Sequence, residues 1–312
     1  MLKINFTSRY KFFFIFLVIN LLGYKQENNP AGMHPIRIKA KKLQVTNFLL
    51  LNKVKKLLKK IFKNTSEYPG IANLFLTPGI KIFEDEGQNK KVKNLFKNQL
   101  KPLLAQLNQD KQIKSFYRET YLPAINKLTS DKNNRKLQNL AKDTLKFLRL
   151  KPKDINLDIE VFINLLDSYS RGTNYFKKGK KYIFSSLTFK NKISWDTIRH
   201  EFLHLILKEL NKKRYDDKSI KLPVNKDYAK DDFRTKLDEY LVRAINIIII
   251  TGKDKKFKDG WAKSEVKNGF LLMPYFVDKI RDYLVRKERK FDNELVDNLL
   301  NSLNEDAEKY PI

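Results

Sequence analysis

The chain opens on a basic, acid-free stretch with Lys3, Arg9 and Lys11, followed by an apolar run from Phe12 to Gly23 broken only by Asn20. A dozen apolar residues behind a basic start match a signal-peptide core and fall short of the about 20 residues a transmembrane helix needs. The pattern predicts an export signal cleaved within Gly23–Gly32, or an uncleaved N-terminal anchor, with a buried helix as the alternative. Residues 24–36 are polar and read as a linker. The pattern then turns helical. Leu50, Leu51, Val54, Leu57, Leu58, Ile61 and Phe62 fall on one face of 43–63, with Lys55, Lys56, Lys59, Lys60 and Lys63 opposite. Tyr68-Pro-Gly and Pro78-Gly mark turns, and 91–150 reads as several amphipathic helices interrupted near Pro102, Pro123 and Ser130–Asn134. Near 155 the pattern changes again. Leu157–Leu166 and Tyr182–Phe189 read as strands, separated by a polar loop from Ser168 to Lys181. Residues 195–210, 233–250 and 275–287 return to helical spacing.

Composition narrows the class. With 312 residues, 42% of them hydrophobic and only 10 Gly and 10 Pro, the chain can bury a real core and is neither disordered nor collagen-like. Its 64 Lys and Arg against 35 Asp and Glu leave a net charge of +29, which favours anionic partners. Of those cations 51 are Lys and 13 Arg. Bidentate recognition of bases and phosphates prefers Arg, so no specific nucleic-acid partner is expected. The stretch from 28 to 66 has ten Lys and Arg and no acid, so its basic face could lie on an anionic surface, the alternative partner. A helix packed on the core with a solvated Lys face is the preferred reading of that stripe. Cysteine is absent, which excludes disulfides, thiol nucleophiles and Cys-ligated metals. Any metal must be held by His, Asp or Glu, and there are three His: His34, His200 and His204.

Two of the three fall in His200-Glu-Phe-Leu-His204. Ser194 can cap the helix, Asp196 lies in its first turn, and Lys208, Lys212, Lys213 and Arg214 follow near its end, each suiting the helix dipole. Residues i and i+4 share a helix face, so His200 and His204 can aim two imidazoles at one ion, while Glu201 is offset toward a water rather than the ion. This is the H-E-x-x-H arrangement of zinc metallopeptidases. Two His need a third protein ligand. His34 is remote and the extended pattern's final His position is Leu210, so the ligand is a carboxylate. Glu239, 35 residues after His204 on the next long helix, is the first candidate. Asp238 beside it should face elsewhere, and Asp216, Asp217, Asp227, Asp231, Asp232 and Glu265 are weaker. A surface pair of Glu239 with Arg243 at i+4 is the competing explanation.

Over 155–290 these residues resemble the gluzincins, the thermolysin-like zinc peptidases. His200-Glu-Phe-Leu-His204 followed by Glu239-x-Leu-Val-Arg-Ala-Ile245 is most similar to uncharacterised bacterial gluzincin-like domains. The resemblance implies His200, His204 and Glu239 as zinc ligands, Glu201 as general base, and an edge strand lining the substrate, placed at 182–189. Where the thermolysin type has an Asp four residues after the third ligand, this chain has Arg243. The oxyanion would then fall to Tyr275, Tyr240, Tyr228 or Arg243.

The expected fold is α+β and zincin-like: a leader or anchor over 1–25, a mainly helical region over 26–150, and a catalytic region over 151–312 with a small sheet, the active helix and a helical C-terminal lobe. The expected activity is zinc-dependent hydrolysis of protein or peptide substrates, exported or membrane-anchored. The rivals are an exported non-catalytic zincin-like scaffold and a basic membrane- or polyanion-binding protein with an incidental motif.

Overall fold

The computed structural model describes residues 2–24, 33–63, 67, 70–76, 86–167, 171–177, 180–188, 190–210, 222–224, 232–252 and 254–306. It is a mixed α+β protein, mostly helical, with one four-stranded sheet among the described residues. In chain order the elements are β1 (Lys3–Thr7), α1 (Tyr10–Leu21), α2 (Pro35–Lys41), α3 (Phe48–Ile61), α4 (Gly70–Leu76), α5 (Glu86–Leu95), α6 (Lys101–Leu107), α7 (Lys111–Phe116), α8 (Leu122–Leu128), α9 (Asp131–Phe147), β2 (Asp158–Ile163), β3 (Gly172–Lys177), β4 (Lys180–Ser185), α10 (Trp195–Leu210), α11 (Phe233–Thr251), α12 (Lys255–Lys267), α13 (Met273–Arg281) and α14 (Asn293–Asp306). Two compact units share the chain: a sheet unit of 3–137 and 158–197, and a helical unit of 1–2, 138–157 and 198–312.

In the sheet unit the strand order is β1-β2-β4-β3, with β1 and β4 parallel to β2 and β3 antiparallel to β4. Parallel strands are covered on both faces, and Val161, Phe162 and Ile163 of β2 are buried accordingly. The element that fills this core is α1. Phe12 sets its ring 5.4, 5.3 and 5.0 Å from Phe162, Tyr182 and Phe184 of the sheet. On another side Phe13 lies 4.9 and 4.7 Å from Tyr117 and Tyr121. A helix packed on several sides must be apolar all round, and Phe12 through Ile19 are all buried. Asn20, the one polar break, is buried with its partners: it donates to the carbonyls of Phe16 and Leu166 and accepts from Arg37 Nε at 2.9 Å.

These observations correct the N-terminal expectation. The basic start contains β1, which pairs with β2 from Lys3↔Asp158 to Thr7↔Phe162, and the apolar run is a core helix of 12 residues. Among the described residues no helix is long and apolar enough to cross a membrane. Membrane anchoring through this segment is therefore not supported, and its apolar side chains serve the core. The proposed cleavage region lies mostly outside the described residues.

Two readings of the sheet also change. The expected polar loop at 168–181 contains β3, which forms a hairpin with β4. The strand expected at the edge, 182–189, is β4 over 180–185, and it is paired on both sides, with β2 and with β3. The interruptions near Pro102 and Pro123 are wide π turns, Phe96–Leu100 and Tyr117–Tyr121, after which a new helix starts with Pro in its first turn. Proline has no N–H to give to the preceding turn, and its ring suits a helix start.

In the helical unit the expected helices at 195–210, 233–250 and 275–287 appear as α10, α11 and α13 continued by a π turn. Asp232 caps α11 by accepting the Thr235 N–H at 2.7 Å. Gly252 ends it at φ 54°, a conformation glycine adopts without strain. Tyr240 of α11 stacks on Phe276 of α13 at 4.7 Å and meets Phe270 edge-on at 5.4 Å.

Candidate metal centre

The polar residues of α10 and α11 meet along one antiparallel seam. Arg199 reaches Asn246 at 3.5 Å, and His204 reaches Asp238 and Glu239, so numbers rise along one helix as they fall along the other. Away from these polar residues both helices are buried by apolar side chains, among them Phe202, Leu205 and Ile206 of α10 and Leu241, Val242 and Ile245 of α11.

Within it His200, His204 and Glu239 bring three ligand atoms within 4.8 Å of one another. His204 Nε2 lies 3.1 Å from His200 Nε2 and 3.2 Å from Glu239 Oε1, and His200 Nε2 lies 3.9 Å from Glu239 Oε2. Around a tetrahedral ion with bonds of about 2.0–2.1 Å, neighbouring donor atoms stand about 3.3–3.4 Å apart. The trio therefore has the spacing and the N, N, O chemistry of a three-ligand site. All three are largely buried, and His200 retains 20% of its side-chain exposure, so water can reach them.

The surroundings orient each donor. His204 Nδ1 donates to Asp238 Oδ2 at 2.6 Å, which turns Nε2 toward His200 and Glu239. A carboxylate on the far nitrogen of a ligating His fixes both its tautomer and its ring orientation. Arg243 Nε donates to Glu239 Oε2 at 3.0 Å and leaves Oε1 toward the imidazoles. Arg243 is itself held: Nη1 donates to Glu265 Oε2 at 3.0 Å, and the guanidinium carbon lies 4.2 Å over the Phe270 ring.

Electrostatics follow from this packing. Burial disfavours charge on all three groups. For His204 the hydrogen bonds and attraction from Asp238 and Glu239 outweigh burial and raise its pKa to about 10. Burial and the neighbouring charge on His204 lower His200 to about 3. Burial pushes Glu239 up, but His204, His200 and Arg243 together bring it down to about 2. Without a metal, the centre at neutral pH holds an imidazolium, a neutral imidazole and a carboxylate.

The sequence-derived candidates divide on this geometry. His200, His204 and Glu239 come together. Glu201 is buried on α10, one residue and so about 100° around the axis from His200, and is not a member of the donor trio. Asp238 does not face elsewhere: the two nitrogens of the His204 ring point to opposite sides, so consecutive residues of α11 bracket one imidazole. Glu239 does pair with Arg243, but as a buried group inside the cluster rather than at the surface. Arg243 stands behind the third donor. Tyr275 is not brought to the centre, since its hydroxyl donates to the Leu299 carbonyl at 2.6 Å and meets Ser302 at 2.8 Å. Tyr240 commits its hydroxyl to the Pro223 carbonyl and the Leu272 N–H. Glu265 is bound to Arg243, Asp232 is a helix cap, and His34 caps α2 by accepting from Ile36 N–H at 3.2 Å. Asp216, Asp217, Asp227, Asp231 and Tyr228 lie outside the described residues.

No family model, curated protein or solved structure matches this chain.

Proposed function

We propose that this protein is a zinc-dependent peptidase of zincin-like architecture, in which His200, His204 and Glu239 hold the ion and Glu201 is the general base. The observation that carries the reading is the convergence of the three donors on the α10–α11 seam. Two imidazoles and one carboxylate suit zinc, and three protein ligands leave one position open, the pattern of catalytic rather than structural zinc. The order of elements, with strands before the His-bearing helix and the Glu on the next helix, agrees with it.

When bound, zinc supplies a Lewis acid that polarises a carbonyl and lowers the pKa of water. His200 and His204 would hold the ion through Nε2, and Glu239 through Oε1. Asp238 keeps the proton of His204 on Nδ1, so that Nε2 presents its lone pair. Arg243 occupies Oε2 and holds Glu239 to one oxygen. Glu201 takes a proton at its carboxylate from the attacking water and returns it to the leaving amine. The reading is tested by Glu201→Gln on the full chain, with metal content and cleavage of a mixed peptide library measured together. The variant should keep the wild-type metal content and lose hydrolysis by at least about 100-fold. A metal-loaded Gln variant that still cleaves would remove Glu201 from the chemistry. A metal-loaded wild type that cleaves nothing would leave a binding protein.

A further inference from the structure

The helix α3 carries a second surface that the metal centre does not use. Its core face is Leu50, Leu51, Val54, Leu57, Leu58 and Ile61, all buried. At 100° per residue the opposite face collects Lys53, Lys55, Lys56, Lys59 and Lys60, and the same arc includes Phe48 and Leu49. These two apolar side chains thus stand among the lysines, at 63% and 76% exposure. They are fixed there. Asp110 Oδ2 accepts from the N–H groups of Thr46 and Asn47 at 2.8 and 3.2 Å, and Asn47 caps the helix at Leu50 N–H, 3.0 Å. Among the described residues none of the five lysines is in an ion pair, and no acidic residue occurs between 28 and 66.

We propose that this face docks the protein on an anionic bilayer surface, with Phe48 and Leu49 entering the boundary between headgroups and acyl chains and the lysines meeting lipid phosphates. Charge complementarity selects the occupant. A second copy would bring like charges together, and a nucleic acid leaves the aliphatic Leu49 without a partner, since bases stack on planar groups. A bilayer takes both kinds of side chain at once, and the flexible ammonium groups of Lys suit diffuse anionic charge.

The test is sedimentation of the full chain with phosphatidylcholine vesicles, alone or carrying about 30% phosphatidylserine. Binding should require the anionic lipid and weaken as salt rises from about 0.1 to about 0.5 M. Phe48→Ser with Leu49→Ser, and separately Lys56→Glu with Lys59→Glu, should each weaken it at least about tenfold, at unchanged melting temperature. The same charge change on α9, Lys142→Glu with Lys146→Glu, should cost much less. Equal loss in the α9 variant would show attraction by net charge alone and overturn the assignment. So would equal binding to neutral vesicles, no binding, or an unaffected Phe48/Leu49 variant whose binding is competed away by single-stranded RNA.

Discussion

The α1 helix and the α10–α11 seam are both buried, and they are legible from sequence in opposite ways. In α1 every position from Phe12 to Ile19 is apolar, so the sequence states only that the segment avoids water. A core helix and an exported or anchored segment satisfy that statement equally. What decides is distant: β1 pairs with a strand about 155 residues away, and Phe12 reaches rings at 162, 182 and 184. On the seam the informative residues are few, polar and spaced. Burying an imidazole or a carboxylate is costly unless each polar atom finds a partner, so a buried polar pattern restricts geometry far more than an apolar one.

The largest effect is expected in the N-terminal region. A chain begun at residue 26 lacks β1 and α1 and should lose cooperative unfolding in urea, followed by circular dichroism. In the full chain, Phe12→Ala leaves a cavity among three rings and should cost about 3–5 kcal/mol. A cost under about 1 kcal/mol would place α1 outside the core and return the apolar run to its first reading.

On the seam the corresponding change is Asp238→Ala. The first donors remain, but His204 loses the group that holds its ring, and zinc affinity measured by competition with a chelator should fall about 10–100-fold. Unchanged affinity would make the 2.6 Å contact incidental.

The smallest effect concerns protons. His204, raised to about 10, is charged at pH 7 and must lose the Nε2 proton to ligate. Zinc binding should therefore release about one proton at pH 7, seen as a dependence of calorimetric enthalpy on buffer ionisation. Because the raised pKa protects the proton below about 10, affinity should climb as pH rises toward that value. Binding without proton release would mean that His204 is already neutral.

The helix carrying the two histidines was readable because local rules agree there: acid in the first turn, base near the end, donors at i and i+4. Glu239 was readable because the chemistry demands a third donor. Asp238 was not, since reasoning on a single helix sends neighbours about 100° apart and ignores that an imidazole has two edges. The place of Tyr275 depends on α14, and a tyrosine's spacing says nothing of which carbonyl its hydroxyl finds. β3 was hidden by its polar sequence, which suits an edge strand paired on one side only.

The central claim is that His200, His204 and Glu239 form one metal site. It is tested most directly by the zinc content of the purified full chain beside Glu239→Ala, measured by elemental mass spectrometry after dialysis against a weak chelator. The account predicts about one zinc per wild-type chain and a nearly empty variant that keeps its fold. Zinc retained by the variant, or none bound by the wild type after reconstitution, would contradict it.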